Sequence, residues 1–306
     1  MLHSSVAFPF LVDIRAIRRS MVYLSRFEFP DREVEYDFTM AQKRTCYDTC
    51  YPFLVLSEHR FRMIDFEAVT ILYGGNGSGK TTALNVIAEK LGVQRETLYN
   101  RSAFFEDYTG LCSCRMETEL PPCSRIITSD DVFDFMLNIR SLNEGIDRRR
   151  EELFEEYLDA KYSDFRMRSL EDYEELRRVN LARTKTQSKY VRKNLMGNIR
   201  EHSNGESAFL YFSEKIEENG LYLLDEPENS LSLEWQMELL RFLEDSARFF
   251  GCQFVIATHS PFLLSMRGAK IYDMDEDAVD VKRWTELANV RAYYDFFKAH
   301  EREFER

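Results

Sequence analysis

Apolar and polar positions along this chain follow two rhythms. Val69-Thr70-Ile71-Leu72-Tyr73, Leu221-Tyr222-Leu223-Leu224 and Gln253-Phe254-Val255-Ile256-Ala257 are short, nearly uninterrupted apolar runs, the pattern of strands covered on both faces. Between and after them the spacing turns helical. Thr82-Ala83-Leu84-Asn85-Val86-Ile87-Ala88 sits in a helix predicted from Lys80 to Leu91 with Gly92 as its C-cap. An amphipathic helix is predicted from Trp235 to Phe250, a last strand at Lys270-Ile271-Tyr272, and a closing helix from Glu286 to Phe304. The aromatic cluster Tyr293-Tyr294-Asp295-Phe296-Phe297 in that tail is expected to cover the sheet. Strands and helices in alternation predict an α/β fold, a mainly parallel sheet flanked by helices.

Before Val69 the rhythm is different. Val22 to Phe29, Glu33 to Phe38 and Phe61 to Phe66 alternate, and Tyr51 to Leu56 is a further strand candidate with Pro52 near its start. These segments predict an N-terminal antiparallel β layer. Residues 93–125 have weak periodicity and a Pro121-Pro122 break. Arg125 to Thr128 then reads as a strand, with a helix opening at Asp131 behind Ser129 or Asp130 as cap. Residues 141–200 are charged and helical in period, and another helix is expected from Ser207 to Ile216. The division expected is an extension over 1–20, a core over 21–93 and 207–306, and an inserted helical lobe over 94–206.

Composition narrows the class. Of 306 residues, 44% are hydrophobic and 31% charged, which suits a water-soluble folded chain with ample core. No apolar run approaches the ~20 residues that span a bilayer, so no membrane insertion is expected. Val6 to Val12 is short and its arginines follow it, unlike a signal peptide. Six cysteines without C-x-x-C spacing read as thiols of a reducing, cytoplasmic setting. A net charge of −12 argues against a surface that coats nucleic acid indiscriminately.

Three of the apolar strands lead directly into chemistry. Gly74-Gly75-Asn76-Gly77-Ser78-Gly79-Lys80-Thr81 reads G-x-x-x-x-G-K-T, between a strand and a helix. Glycines there let successive backbone N–H groups ring a phosphate at a helix N-terminus. Lys80 can reach the β- and γ-phosphates and the Thr81 hydroxyl can ligate Mg²⁺, with Thr82 completing the loop. Leu223-Leu224-Asp225-Glu226-Pro227 delivers two carboxylates to a strand's carboxyl end. Asp225 is expected to hold Mg²⁺ through its water shell, and Glu226 to deprotonate the attacking water. After the third strand, His259 of Ala257-Thr258-His259-Ser260-Pro261 can hydrogen-bond a γ-phosphate. Between the first and second lies Glu201-His202-Ser203-Asn204-Gly205-Glu206-Ser207, an S-x-G-E at a helix start.

The order of these motifs, from about Val22 to Asp273, resembles the ATP-binding-cassette (ABC) ATPase superfamily. The resemblance implies that Ser203, Gly205 and Glu206 form the signature motif, which completes the ATP site of a second chain in a head-to-tail homodimer. Gly74 to Thr82 would be Walker A, Leu221 to Glu226 Walker B, His259 the switch histidine, and Asn229-Ser230-Leu231-Ser232 the D-loop. Departures are visible: His202 replaces the usual leading Leu, the D-loop Asp falls on Ser232, and Ser129-Asp130 occupy the point of the Q-loop glutamine. Asp225-Glu226-Pro227-Glu228-Asn229-Ser230-Leu231 is similar to the soluble RecF, SMC and OLD-type branch, and the short chain to small stand-alone bacterial ATPases. The resemblance implies ATP and Mg²⁺ as ligands, hydrolysis of ATP, and a DNA-related or phage-defence role; the alternative is the nucleotide-binding subunit of a transporter.

DNA or an effector protein are the further partners to weigh. Arg177, Arg178, Arg183, Lys185, Lys189, Arg192, Lys193 and Arg200 run without an acid among them. Ten acids against three bases over residues 151–175 can neutralise that run within one helical lobe.

Overall fold

The computed structural model describes residues 21–43, 46–163, 172–184, 190 and 204–305. Contacts divide the chain into two units, residues 1–129 with 212–306, and residues 130–211. The extension expected over 1–20 lies outside the described residues. Residues 94–129, expected in the inserted lobe, group here with the sheet unit, because two of their strands pair into its sheets.

The first unit holds two sheets. Strands β1 (Leu24–Glu28), β2 (Met63–Asp65) and β4 (Ser113–Met116) form a three-stranded antiparallel layer in the order β2-β1-β4. The larger sheet takes β3 (Val69–Tyr73), β5 (Arg125–Thr128), β6 (Leu221–Asp225), β7 (Gln253–Thr258), β8 (Lys270–Asp273) and β9 (Asp280–Lys282) in the order β5-β6-β7-β3-β8-β9. It is parallel except for β9, which returns antiparallel along β8. Every residue of β3, β6 and β7 is buried, as continuous apolar runs require. Truncating one of these side chains to Ala would cost about 2–5 kcal/mol.

Helix boundaries follow capping chemistry. In the first unit α1 (Arg32–Ala41), α2 (Val55–Glu58), α3 (Lys80–Leu91) and α4 (Phe105–Leu111) precede β5. Helix α3 ends at Gly92 in the left-handed conformation, as predicted, with its N–H on Ala88 O and Glu89 O. Two expected strands are helical or irregular instead. Glu33 to Phe38 lies in α1, where Asp31 accepts from Val34 N at 3.0 Å as N-cap and Glu35 turns inward. Its E-V-E-Y-D-F alternation is compatible with either period, and the cap decides. Tyr51 to Leu56 forms turns running into α2.

Gln253, a fully buried amide at the start of β7, joins the two sheets. Its Oε1 accepts from Tyr23 N and Leu24 N at 2.8 and 2.9 Å, and its Nε2 donates to Leu24 O and Glu67 O at 2.8 and 3.2 Å. Both hydrogens and both lone pairs are used.

Helix α5 (Ser129–Tyr162) runs 34 residues and α6 spans Tyr173–Thr184. In the second unit Leu153, Tyr157, Ala160, Val179, Ala182 and Tyr190 form a small core. Part of its charge is paired internally: Arg149 with Glu152 and Glu156 at 2.7 and 3.1 Å, Arg178 with Glu175 at 2.7 Å. Lys185, Lys189, Arg192, Lys193 and Arg200 lie outside the described residues. Helix α7 (Asn204–Lys215) begins three residues before the expected start.

The first unit continues with α8 (Leu233–Phe249), α9 (Pro261–Leu264), α10 (Ala288–Ala299) and α11 (Glu301–Phe304). Leu287 and Val290 anchor α10, but Tyr293, Tyr294, Phe296 and Phe297 are between 52% and 59% exposed. The aromatic tail therefore does not cover the sheet. Beyond the anchor every residue from Arg291 to Ala299 is exposed.

Candidate functional site

Parallel register puts the chemistry in one place. Tyr73 is opposite Thr258 and Asp225 opposite Ala257, so the loops after β3, β6 and β7 leave the sheet side by side at its carboxyl edge. β7 lies between the other two, so His259 rises between the glycine loop and the acidic pair.

The glycine loop needs its glycines. Gly79 has φ +89° and a Cβ there would stand 3.0 Å from Leu56 Cδ2; a Cβ on Gly74 would meet the Ser78 side chain at 2.5–2.9 Å. Within the loop the Ser78 hydroxyl is buried without a protein hydrogen-bond partner. Lys80, itself buried, folds its ammonium back onto the carbonyls of Gly74 and Gly75 at 2.6 and 2.8 Å. A cation held by neutral carbonyls and an unsatisfied hydroxyl fit an incoming anion such as a phosphate. Gly77 and Asn76 are the exposed tip of the loop.

Across 144 residues of sequence, the Thr81 hydroxyl donates to Asp225 Oδ1 at 3.1 Å. Burial pushes the Asp225 carboxyl up to about 6, with the Thr81 bond working the other way. A buried carboxylate short of positive charge beside a hydroxyl oxygen is the donor set a hard divalent cation takes. Mg²⁺ therefore fits the residues present.

Glu226 adopts a left-handed backbone, φ +48°, uncommon for a residue with a side chain. Its N–H donates to Ala257 O at 2.9 Å, and Asn229 Nδ2 donates to its Oε2 at 2.9 Å. His259 Nδ1 stands 3.9 Å from Glu226 Oε1. The structure thus gathers Gly74 to Thr82, Asp225, Glu226 and His259. Of the S-x-G-E, Ser203 is outside the described residues, while Gly205 and Glu206 lie in the first turn of α7, in the second unit.

Two contacts on the glycine loop escaped the sequence reading. Tyr51 OH and Thr82 Oγ1 are 3.2 Å apart, and Asp275, just past β8, accepts from Gly75 N at 2.8 and 3.0 Å. Neither sits in a motif; Tyr51 was hidden in a segment that looked extended.

Residues 198–265 match the family model described as "AAA domain, putative AbiEii toxin, Type IV TA system", a window that takes in Asp225, Glu226 and His259. The glycine loop between β3 and α3, the parallel sheet order and the three adjoining loops make this an α/β fold of P-loop type.

No curated relative matches the sequence. Among solved structures, the Smc head domain of Pyrococcus furiosus with an extended coiled coil, bound to the C-terminal domain of ScpA, is 14% identical, with TM-score 0.42 over 92% of this chain and 100% of that one. The SMC head domain from Thermotoga maritima is 13% identical, with TM-score 0.32 over 72% of this chain and 92% of that one. A dimeric ATP-binding cassette in a post-hydrolysis state with ADP and Pi is 14% identical, with TM-score 0.34 over 74% and 90%. Among the described residues, no helix of this chain is long and apolar enough to cross a membrane.

Proposed function

We propose that this chain binds Mg²⁺ and ATP and hydrolyses ATP as an ATP-gated head-to-tail homodimer. The observation that carries the reading is the Thr81–Asp225 bond at 3.1 Å, which brings the glycine loop and the acidic strand end into one site. The backbone N–H groups from Gly74 to Thr82 would cradle the phosphates, with Lys80 moving from its carbonyls onto them. Thr81 and Asp225 would hold the cation, which when bound offsets phosphate charge as it develops. Glu226 orients the attacking water and takes its proton while the water oxygen bonds the γ-phosphorus and ADP departs. His259 contacts the γ-phosphate. Ser203, Gly205 and Glu206 of one chain would cap the γ-phosphate held by Lys80 of the other.

The test is Glu226→Gln with ATP on size exclusion. A trapped ATP-bound dimer is expected, and a variant that stays monomeric while hydrolysing at the wild-type rate overturns the assignment. The description of the matching family, with its type IV toxin, supports a defence role over that of a transporter subunit. Protection of cells against phage that disappears with Glu226→Gln would support it; co-purification with a membrane permease would favour the alternative.

A further inference from the structure

Two residues beyond Glu226, the acid Glu228 is 5% exposed. A solvated turn acid would face water; this one faces β7. Its Oε1 accepts from Thr258 Oγ1 at 2.6 Å, His259 N at 3.0 Å and Ser260 N at 3.1 Å. The same oxygen lies 3.4 Å from His259 Nδ1. From the opposite side Asn289, at the start of α10, donates its Nδ2 to His259 O at 2.9 Å. Side chains from two distant segments therefore hold both the amide and the carbonyl of His259, whose ring is 51% exposed. Charge-assisted bonds to a buried carboxylate are strong, and stripping their acceptor leaves buried donors unsatisfied.

We infer that Glu228 is a positioning residue for ATP hydrolysis: it fixes the loop that carries His259 and sets its imidazole with a proton on Nδ1. The ring nitrogen nearest both carboxylates, of Glu226 and Glu228, is Nδ1, and a carboxylate can only accept. Nε2 is then the nitrogen left to meet the nucleotide. Asn229 does the corresponding work for Glu226, so the turn Glu228-Asn229 orients both reacting groups from one short segment. The inference rests on the proposal that Glu226 and His259 serve hydrolysis.

Two measurements on the full chain test it. In steady-state turnover, Glu228→Ala is expected to lower kcat on the order of 10–100-fold, with mant-ATP affinity within about threefold of wild type, since binding resides in the glycine loop. Glu228→Gln should recover most of the rate, because its amide oxygen still accepts the three bonds. In a His259→Ala background Glu228→Ala should cost nothing further. Independently, long-range ¹H–¹⁵N spectra of histidine-labelled protein should show His259 as the Nδ1–H tautomer in wild type and a mixture in Glu228→Ala. Thr258→Val, which removes the shortest bond and no charge, should shift that spectrum in the same direction and serves if Glu228→Ala does not fold. Wild-type kcat in Glu228→Ala, a full additive loss with His259→Ala, or an unchanged histidine spectrum overturns the inference. Absence of turnover in the wild type would sink the ATPase reading instead, and the histidine spectrum would still decide what Glu228 does.

Discussion

Asp225 and Glu228 stand three residues apart in one stretch, both buried, and the protein treats them oppositely. Asp225 has a hydroxyl at 3.1 Å, and burial lifts its carboxyl up to about 6. Glu228 has three donors on a single oxygen. A carboxylate left short of partners is prepared for something that arrives from outside; one whose single oxygen already takes three donors is holding its neighbours in place. Burial alone therefore does not mark a reacting group. The number of protein donors already on it does.

The contrast breaks most sharply at the residue between them. Glu226→Gln should cut turnover by about 10²–10⁴-fold, the usual contribution of a positioned base, while leaving nucleotide binding intact. Lys80→Ala should abolish measurable ATP binding at ordinary concentrations, seen by calorimetry, because the site loses its charged partner for phosphate. Asp225→Asn sharpens the comparison: the Mg²⁺ concentration needed for half-maximal turnover should rise about 10–100-fold, whereas the same titration on Glu228→Gln should be unmoved.

The smallest effect comes from a third buried acid. Glu35 accepts from Leu54 N and Ser57 Oγ at 2.6 and 2.7 Å, and burial nevertheless raises its carboxyl above the ordinary value. A raised folded value means the protonated form suits the fold. That contribution is complete below the unfolded value and is lost as pH rises through the folded one. Glu35→Gln should accordingly match wild type near pH 4 and gain a few degrees in Tm at pH 8. An equal Tm difference at both pH values would show that its charge is irrelevant.

Legibility in the sequence followed the locality of the interactions. The glycine loop, α3 with Gly92, and the strands ending in Asp225 and Thr258 were readable because short-range pattern fixes them. Glu33 to Phe38 was misread because a period of two also fits E-V-E-Y-D-F, and the deciding bond comes from Asp31. Glu228 could be seen as an acid in a motif, but its donors lie 30–32 residues away, at and just beyond the end of another strand. Tyr51 and Asp275 reach the glycine loop only through turns and sheet order that no local pattern announces. Strand β9 was missed because three residues carry too little period to detect.

β7 has Gln253 at one end and leads into His259 at the other. Three bonds from that amide tie the start of the antiparallel layer, at Tyr23 and Leu24, to the strand that presents the histidine. The antiparallel layer and the loop that carries His259 therefore share one strand, so a displacement of the layer at Leu24 would bear on the backbone that leads into that ring.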